Sequence, residues 1–296
     1  HSNMSFGASV RGGEVEYGLR NFKSLFAQPK NLANINYLKM LLDIIKFNKN
    51  AVSLASDTSI TIRELLNLLG TGDWFRDYYL LPFSGAIWST PKDKILDFPA
   101  HSMISFFENH ALLNRTGQHQ WFTVKGGSIQ YVARLDRELV NRNVEVRLGN
   151  PIKKVRRGPF GVQILSQKSE TEFYDHVVFA THSDDTLKML ADPSIAEKTA
   201  LGAIKYQPNE AVLHHDQNVM PKNKNCWASW VYTEDKQASQ GPIGLTYWMN
   251  SLQPIPESDP MFVTLNSKNK IDPYKIYDEV TFMHPVYDLP ALKAQK

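Results

Sequence analysis

Apolar side chains keep one spacing up to about residue 144 of this chain and another beyond it. In the first part they recur every three or four positions. Leu32, Ile35, Leu38, Leu42 and Ile45 make such a stripe, which predicts an amphipathic helix that buries it and ends among Asn48, Lys49 and Asn50. Thr61-Ile62-Arg63-Glu64 has the form of a capping box, so a helix is expected from there to Gly70. Further helices are expected over Trp74 to Leu81, closed by Pro82, over Phe98 to Leu113 with Pro99 in the first turn, and over Ser128 to Val140, where Ile129, Val132, Leu135 and Leu139 carry the period. Ahead of these helices, Met4 to Tyr17 alternates loosely about Arg11-Gly12-Gly13 and reads as a short hairpin.

From Val144 onward the period is two and the segments have strand length. Val144 to Leu148, Ile152 to Arg157 and Val162 to Leu165 are expected strands, separated by turns at Gly149-Asn150-Pro151 and Gly158-Pro159-Phe160-Gly161. His176 to Ala180 is a continuous apolar run of the kind buried on both faces in a parallel sheet. A second block follows over Ala211–His214, Trp227–Tyr232, Leu245–Met249, Met261–Leu265 and Glu279–Met283. Its aromatic residues interleave with small or polar ones, as in a half-exposed antiparallel sheet.

Composition narrows the class. With 296 residues, 42% hydrophobic and 21% charged, the chain can bury a substantial core, which excludes intrinsic disorder. One cysteine, Cys226, excludes an internal disulfide and a cysteine-type zinc site, and a reducing cytoplasm is the expected setting. Lys and Arg number 33 against 30 Asp and Glu, a net +3 too balanced to imply by itself a nucleic-acid or acidic-membrane partner. Charged and small residues interrupt every apolar stretch before the ~20 residues that cross a bilayer, so no integral membrane protein is expected. The chain opens His1-Ser2-Asn3-Met4, which reads as a cloning remnant or as part of a longer protein.

Most motifs of catalysis are missing. The sequence has no Gly-x-x-x-x-Gly-Lys, no Gly-x-Ser-x-Gly and no His-Glu-x-x-His, and its one Gly-x-Gly, Gly70-Thr71-Gly72, follows a helix and lacks a third glycine. His182-Ser183-Asp184-Asp185 offers base, nucleophile and carboxylate, but triad members converge from different elements, so a loop capping a helix is the better reading. His214 and His215 point to opposite faces of a strand and cannot chelate one metal. Lys153-Lys154 and Arg156-Arg157 likewise split between faces, as on a solvated sheet edge. Neither a metal nor a nucleic acid is expected as a partner.

Three stretches carry the positive signal. Gln120 to Ser128 ends in the pair Gly126-Gly127 at a helix N-terminus, where backbone amides can approach an anionic ligand. Pro151-Ile152-Lys153-Lys154-Val155 leads into a meander. Tyr174 to His182 is a buried strand ending in small residues, where an open α/β sheet places its ligand.

Taken in this order, the stretches resemble the flavin-containing amine oxidase superfamily. Its shared text has a glycine pair opening a helix, a strand, a Pro-Val-like pair, a meander and an Asp-x-Val-Val-x-Ala strand. Within it the chain is similar to bacterial NAD/FAD-binding amine-oxidase-like proteins, which also resemble the N-terminal half of plant cyclopropane fatty acid synthases. Matching text includes Asn3-Met4-Ser5-Phe6, Leu25-Phe26-Ala27-Gln28, Leu80-Leu81-Pro82, Ala86-Ile87-Trp88-Ser89, Asn109-His110, Trp121 through Val132, Phe179-Ala180-Thr181-His182, Thr246-Tyr247-Trp248-Met249-Asn250 and His284-Pro285-Val286-Tyr287-Asp288. The resemblance implies a mixed α/β class and an FAD/NAD(P)-binding-type flavoprotein fold, truncated. Residues 1–120 would be the helical part of a substrate domain, 121–185 the returning part of the FAD-binding domain, and 186–296 the antiparallel sheet of the substrate domain. Full members open with strand, Gly-x-Gly-x-x-Gly and helix, and close with a second glycine-rich stretch. Neither is in this sequence, so the chain resembles the central part of such a protein, and FAD is not expected to be retained by it alone.

By position, the resemblance implies that the Ile152 backbone lies against the adenine, that Ala180 and Thr181 line the cofactor cleft, and that Gly126 and Gly127 sit beside it. Lys125 and His182, the nearest polar residues, are the catalytic candidates, each able to hold a water or a substrate carboxylate near the flavin. On the substrate side Ala228, Trp230 and Tyr232 share one strand face, and Leu245, Tyr247 and Met249 another. Trp230, Tyr232, Tyr247 and Met249 are therefore the substrate-binding candidates, against the simpler reading of ordinary sheet core. The expected function is an FAD-dependent oxidoreductase taking hydride from a small molecule, an amine or an apolar, lipid-like carbon substrate. Two alternatives stay open: a non-catalytic flavoprotein-like domain holding an apolar ligand or a partner enzyme, and a basic binding module using Lys153 to Arg157.

Overall fold

The structure, a computed structural model, describes residues 2, 4–113, 120–168, 170–236, 244–267 and 270–295. It divides into two compact units, His1–Thr123 with Gln207–His284, and Val124–Tyr206 with Pro285–Lys296. The region 186–206 thus goes with the second unit.

The first unit opens with the expected hairpin. Strands β1 (Phe6–Val10) and β2 (Val15–Gly18) pair antiparallel from Val10↔Val15 to Gly7↔Gly18. Arg11, Gly12 and Gly13 all take positive φ between them, a path that two glycines make cheap. After α1 (Phe22–Leu25) comes α2 (Ile35–Leu54), capped by the Asn34 side chain. The helix forms, but it runs past Asn50 and its faces are reversed from the expectation. Leu32 (in a preceding 3-10 turn), Ile35, Leu38, Leu42 and Ile45 are exposed, while Tyr37, Met40, Phe47 and Ala51 are buried. Two apolar stripes compete here, and the one with the larger side chains wins the core. The Phe47 ring meets Phe75 at 5.3 Å and Phe107 at 6.5 Å, and the Tyr37 hydroxyl donates to the Leu25 carbonyl at 2.6 Å.

Helix α3 (Ile62–Leu69) has the expected capping box, with the Glu64 carboxylate 2.7 Å from the Thr61 amide, and it stops where Gly70 turns left-handed at φ +60. Pro82 does not close the next helix. The chain runs from α4 (Asp73–Phe75) through a π-helical turn at Arg76–Leu80 into α5 (Leu81–Trp88). A proline has no N–H for the carbonyl four residues back, here that of Tyr78, and this carbonyl accepts instead from the buried Tyr17 hydroxyl at 2.7 Å. Helices α6 (Lys92–Ile95) and α7 (Ala100–Asn109) complete the helical layer.

The second unit holds α8 (Ser128–Asn141), a meander of β3 (Ile152–Gly158), β4 (Gly161–Ser166) and β5 (Thr171–Tyr174), then α9 (Ser183–Met189) and α10 (Ile195–Ala203). A short helix, Leu289–Lys293, also belongs to it. Val155, Val162, Leu190 and Ala291 are its buried apolar residues among those described, and the Ala191 amide donates to the Val155 carbonyl at 2.8 Å. Arg157 is held by Asp192 and Glu197, and its guanidinium holds the Glu197 carboxyl down at about 2.

Two expected strands do not form in this unit. Val144–Leu148 and His176–Ala180 have no ladder partners among the described residues, Leu148 already lies in a turn, and Val178 is 91% exposed rather than buried on two faces. Helix α8 keeps its expected extent yet buries no residue, with Ile129, Val132 and Leu135 in solvent. A strand owes its hydrogen bonds to neighbours, and among the described residues these two have none.

The chain returns to the first unit as β6 (Tyr206–His214), β7 (Trp230–Thr233), β8 (Gly244–Trp248), α11 (Met249–Leu252), β9 (Phe262–Leu265) and β10 (Ile276–Pro285). These five strands are the expected second block. They join the hairpin in one sheet of order β10-β6-β9-β8-β7-β1-β2, in which β6 with β9, β9 with β8, β8 with β7 and β1 with β2 run antiparallel and β1 with β7 parallel. Gly7 lets β1 pass close to the chain before β7, since a Cβ there would meet the Cys226 carbonyl oxygen at 2.3 Å.

A polar line crosses the sheet interior. The Asp216 amide donates to His214 Nδ1 at 3.1 Å, so Nε2 carries the proton and donates to Thr264 Oγ1 at 2.7 Å, which lies 2.9 Å from Thr246 Oγ1. Burial pushes the His214 imidazole down from 6.5 to about 4. The unfolded chain therefore takes up this proton first. The stability His214 contributes is complete above pH 6.5 and is lost as pH falls toward 4. Urea unfolding at pH 7 and pH 5 should show a larger acid loss for the native chain than for a His214→Gln variant. Equal losses in the two chains would refute the assignment.

Candidate functional site

The first unit contains a cavity of about 350 Å³ between the start of β1 and the helical layer. Phe6, Tyr79, Phe83, Phe106, Trp121 and Trp230 wall it, with Leu19, Ile87 and Leu112 between them. The rings hold one another: Phe83 meets Phe6 edge-on at 5.0 Å and stacks on Tyr79 at 5.8 Å. Burial pushes the Tyr79 phenol up, so it stays neutral at ordinary pH. His110 is sandwiched between Phe106 at 4.0 Å and Trp121 at 6.4 Å, and its Nδ1 lies 2.8 Å from the Phe106 carbonyl, which can only accept, so that nitrogen bears the proton. Arg20 is the one residue of fixed charge in the wall, and no carboxylate lines it among the described residues.

Of the four substrate candidates only Trp230 reaches this cavity. Tyr247, its register partner, meets its ring edge-on at 5.5 Å and stands behind it, its phenol pushed up to about 12 by burial. Tyr232 is buried beyond, close to Glu234, whose carboxylate takes Lys92 at 2.6 Å. Met249 leaves the expected strand face because β8 ends at Trp248 and the chain turns into α11. Ala228 precedes β7 and packs with Val231 and Phe262, away from Trp230. Missed in the sequence were Phe6, Tyr79, Phe83, Phe106, His110 and Trp121. The available signal was the aromatic density of Trp74 to Trp88, which exceeds what a surface helix carries.

The cofactor candidates lie in the second unit. Gly126 and Gly127 take φ of +83 and +81 just ahead of α8, and a Cβ on Gly127 would meet nothing within 4 Å. No side chain caps α8, although the Gln130 amide in its first turn donates to the Gly127 carbonyl at 3.1 Å and the Gly127 amide to the Val124 carbonyl at 3.0 Å. Ile152 starts β3 and is exposed, as is Lys125. Ala180 and Thr181 are exposed at the end of the unpaired run, where the Thr181 hydroxyl lies 2.7 Å from that of Thr186. His182 caps α9 and stacks on Tyr206 at 4.4 Å. A ring atom of His182 comes within 4.8 Å of the Asp184 and Asp185 carboxylates, but both carboxylates are taken by Lys188. The cofactor candidates thus lie on an exposed surface of one unit, and the aromatic cavity lies in the other.

Comparison with known proteins adds the lineage. The family of flavin containing amine oxidoreductases matches residues 17–265. No curated protein matches in sequence. Among solved structures, a CLA-producing fatty acid isomerase from P. acnes is similar with TM-score 0.57 and 12% identity, covering 96% of this chain and 68% of its own. An oxidoreductase from Methanosarcina mazei gives 0.58, 12%, 96% and 69% in the same order. Putrescine oxidase bound to putrescine gives 0.59, 11%, 99% and 72%. At these identities the likeness establishes the fold, a mixed α/β flavoprotein type of which this chain spans about 70%.

The cavity itself can be tested. Titration with decanol should shift the tryptophan emission, because Trp121 and Trp230 stand in the wall. Ile87→Phe with Leu112→Phe narrows the space and should weaken the response about tenfold. An unchanged response would place the binding elsewhere.

Proposed function

Since the chain belongs to the family of flavin containing amine oxidoreductases, we propose that it is the central portion of a flavin-dependent oxidoreductase whose substrate is an apolar, lipid-like molecule held in the aromatic cavity. The cavity wall carries this reading. Two structural neighbours show that related folds serve a fatty acid isomerase and a putrescine oxidase, so the fold admits both substrate classes. The lining separates them. The described wall offers ring faces but no carboxylate to an ammonium, while Arg20 repels a cation and suits a carboxylate, which favours the fatty-acid class.

The cofactor surface fits FAD in part. The start of α8, the positive φ of Gly126 and Gly127 and the exposed Ile152, Ala180 and Thr181 suit one flank of a dinucleotide. These residues would hold it there. They do not supply a Gly-x-Gly-x-x-Gly cradle for the pyrophosphate, which supports weak retention by this chain alone. Val178 and the exposed face of α8 suit cover by further polypeptide of the same fold. When bound, the flavin supplies the electron-pair acceptor.

The chain's own residues then do three things. The aromatic wall excludes water and orients the reacting carbon. Arg20 anchors the polar end of the substrate. Lys125 and His182 hold a water or proton at the cofactor flank, as positioning groups on the open surface.

The test is the whole reading frame, expressed with the segments that flank this chain in its gene. The product should be yellow with flavin absorbance, and a long-chain carboxylate should bleach it faster than an alkylamine of equal length. A colourless product would favour the non-catalytic reading. Equal bleaching by the amine would overturn the substrate class. Lys125→Met should lower the bleaching rate with little change in flavin content.

A further inference from the structure

The charge of this chain is unevenly placed. Between Arg20 and Ser56 the sequence has six basic residues, Arg20, Lys23, Lys30, Lys39, Lys46 and Lys49, against a single acid, Asp43. That is +5 in one segment of a chain whose total is +3, so the remainder is about −2. All six basic side chains are exposed. Asp43 is occupied, accepting the Gly72 amide at 2.9 Å.

The same segment carries the apolar stripe of α2 that the core rejects. Ile35 and Leu42 are 68% and 64% exposed, with Leu38 and Ile45 on the same side of the helix and Phe22 exposed in α1. Ile35, Leu42 and Ile45 each have a lysine four residues on, at Lys39, Lys46 and Lys49, so each apolar side chain lies beside an ammonium on a long stem. Water-exposed leucine and isoleucine in a row bordered by lysines is the arrangement of a helix that lies in a lipid headgroup layer.

We propose that the exposed face of α2 docks this protein on an anionic lipid surface. Charge chooses the occupant. A second copy of the chain would bring its own lysines against these, whereas anionic headgroups neutralise them while the apolar stripe enters the acyl boundary. The position of the face suits the cavity's substrate: Leu19 and Arg20 in the cavity wall lead directly into Phe22 of α1, whose ring meets Phe26 at 4.8 Å, and Phe26 meets Tyr37 of α2 at 5.9 Å. The docking face and the cavity wall are thus one continuous stretch of structure. Only the purpose of docking, delivery of an apolar substrate, rests on the functional reading above. The docking itself does not.

Co-sedimentation of the 296-residue chain with vesicles tests it without flavin or turnover. Binding should be strong to phosphatidylglycerol-containing vesicles, weak to pure phosphatidylcholine, and reduced by added salt. Leu42→Glu with Ile45→Glu, and separately Lys39→Glu with Lys49→Glu, should each lower the affinity for anionic vesicles about tenfold with an unchanged circular dichroism spectrum, since all four side chains are exposed. Binding that survives both double variants, or that is equal on neutral vesicles, would overturn the proposal. So would a dimer in solution that the Leu42→Glu, Ile45→Glu variant dissolves, because a second copy would then own the face. If the full-length protein proved colourless while vesicle binding held, the flavin reading would fail and the docking face would stand.

Discussion

An extended apolar segment needs partners on both its edges and its faces, and that requirement organises everything seen here. In the first unit it is met over the middle of the sheet, while the edge strand β10 leaves Tyr277, Val280 and Phe282 exposed. The seven strands hydrogen-bond one to the next, and one face of the sheet packs Tyr232, Leu245 and Leu265 into the same core as Tyr37, Phe47, Phe75 and Phe107 from the helices. In the second unit it is not met. Val144–Leu148 and His176–Ala180 have strand sequences but no ladder, and α8 turns an apolar face to solvent.

One backbone irregularity stands next to the cavity wall. Pro82 cannot donate to the helix, the π-helical turn before it frees the Tyr78 carbonyl, and the Tyr17 hydroxyl ties that carbonyl to the sheet. The bond joins the aromatic helix to β2 at a fixed height. A buried bond of this kind is worth about 1 kcal/mol net, modest as stability but decisive for where Tyr79 and Phe83 stand. Those two rings make the cavity wall with Phe6 of the neighbouring strand.

The two sets of candidate residues sit on surfaces of different kinds. The cavity wall is aromatic, with Arg20 and no carboxylate side chain among its described residues, while the cofactor candidates lie on exposed backbone. That contrast explains why a search for acid-base motifs returned so little. A fold that binds a redox cofactor needs shape and access from its side chains more than it needs a triad.

Local rules sufficed for the hairpin, the Thr61 capping box and the meander strands β3 and β4, whose partners lie close in sequence; alternation also marked the five strands from β6 to β10, but their order in the sheet, with β6 on β9 and β7 on β1, is long-range. The resemblance to flavin-containing amine oxidases, with its mixed α/β fold, could also be read from ordered short stretches, and the family match over 17–265 agrees. Tertiary structure alone decided the rest. Periodicity marked a stripe on α2 but could not rank two apolar faces of one helix, and the larger rings of Tyr37 and Phe47 took the core. Alternation placed Trp230, Tyr232, Tyr247 and Met249 near one another, but only packing left Trp230 at the cavity and put the others behind it or beyond the strand's end. Apolar runs at 144–148 and 176–180 read as strands because side-chain pattern is local, and they remain unpaired because hydrogen-bonding partners are not.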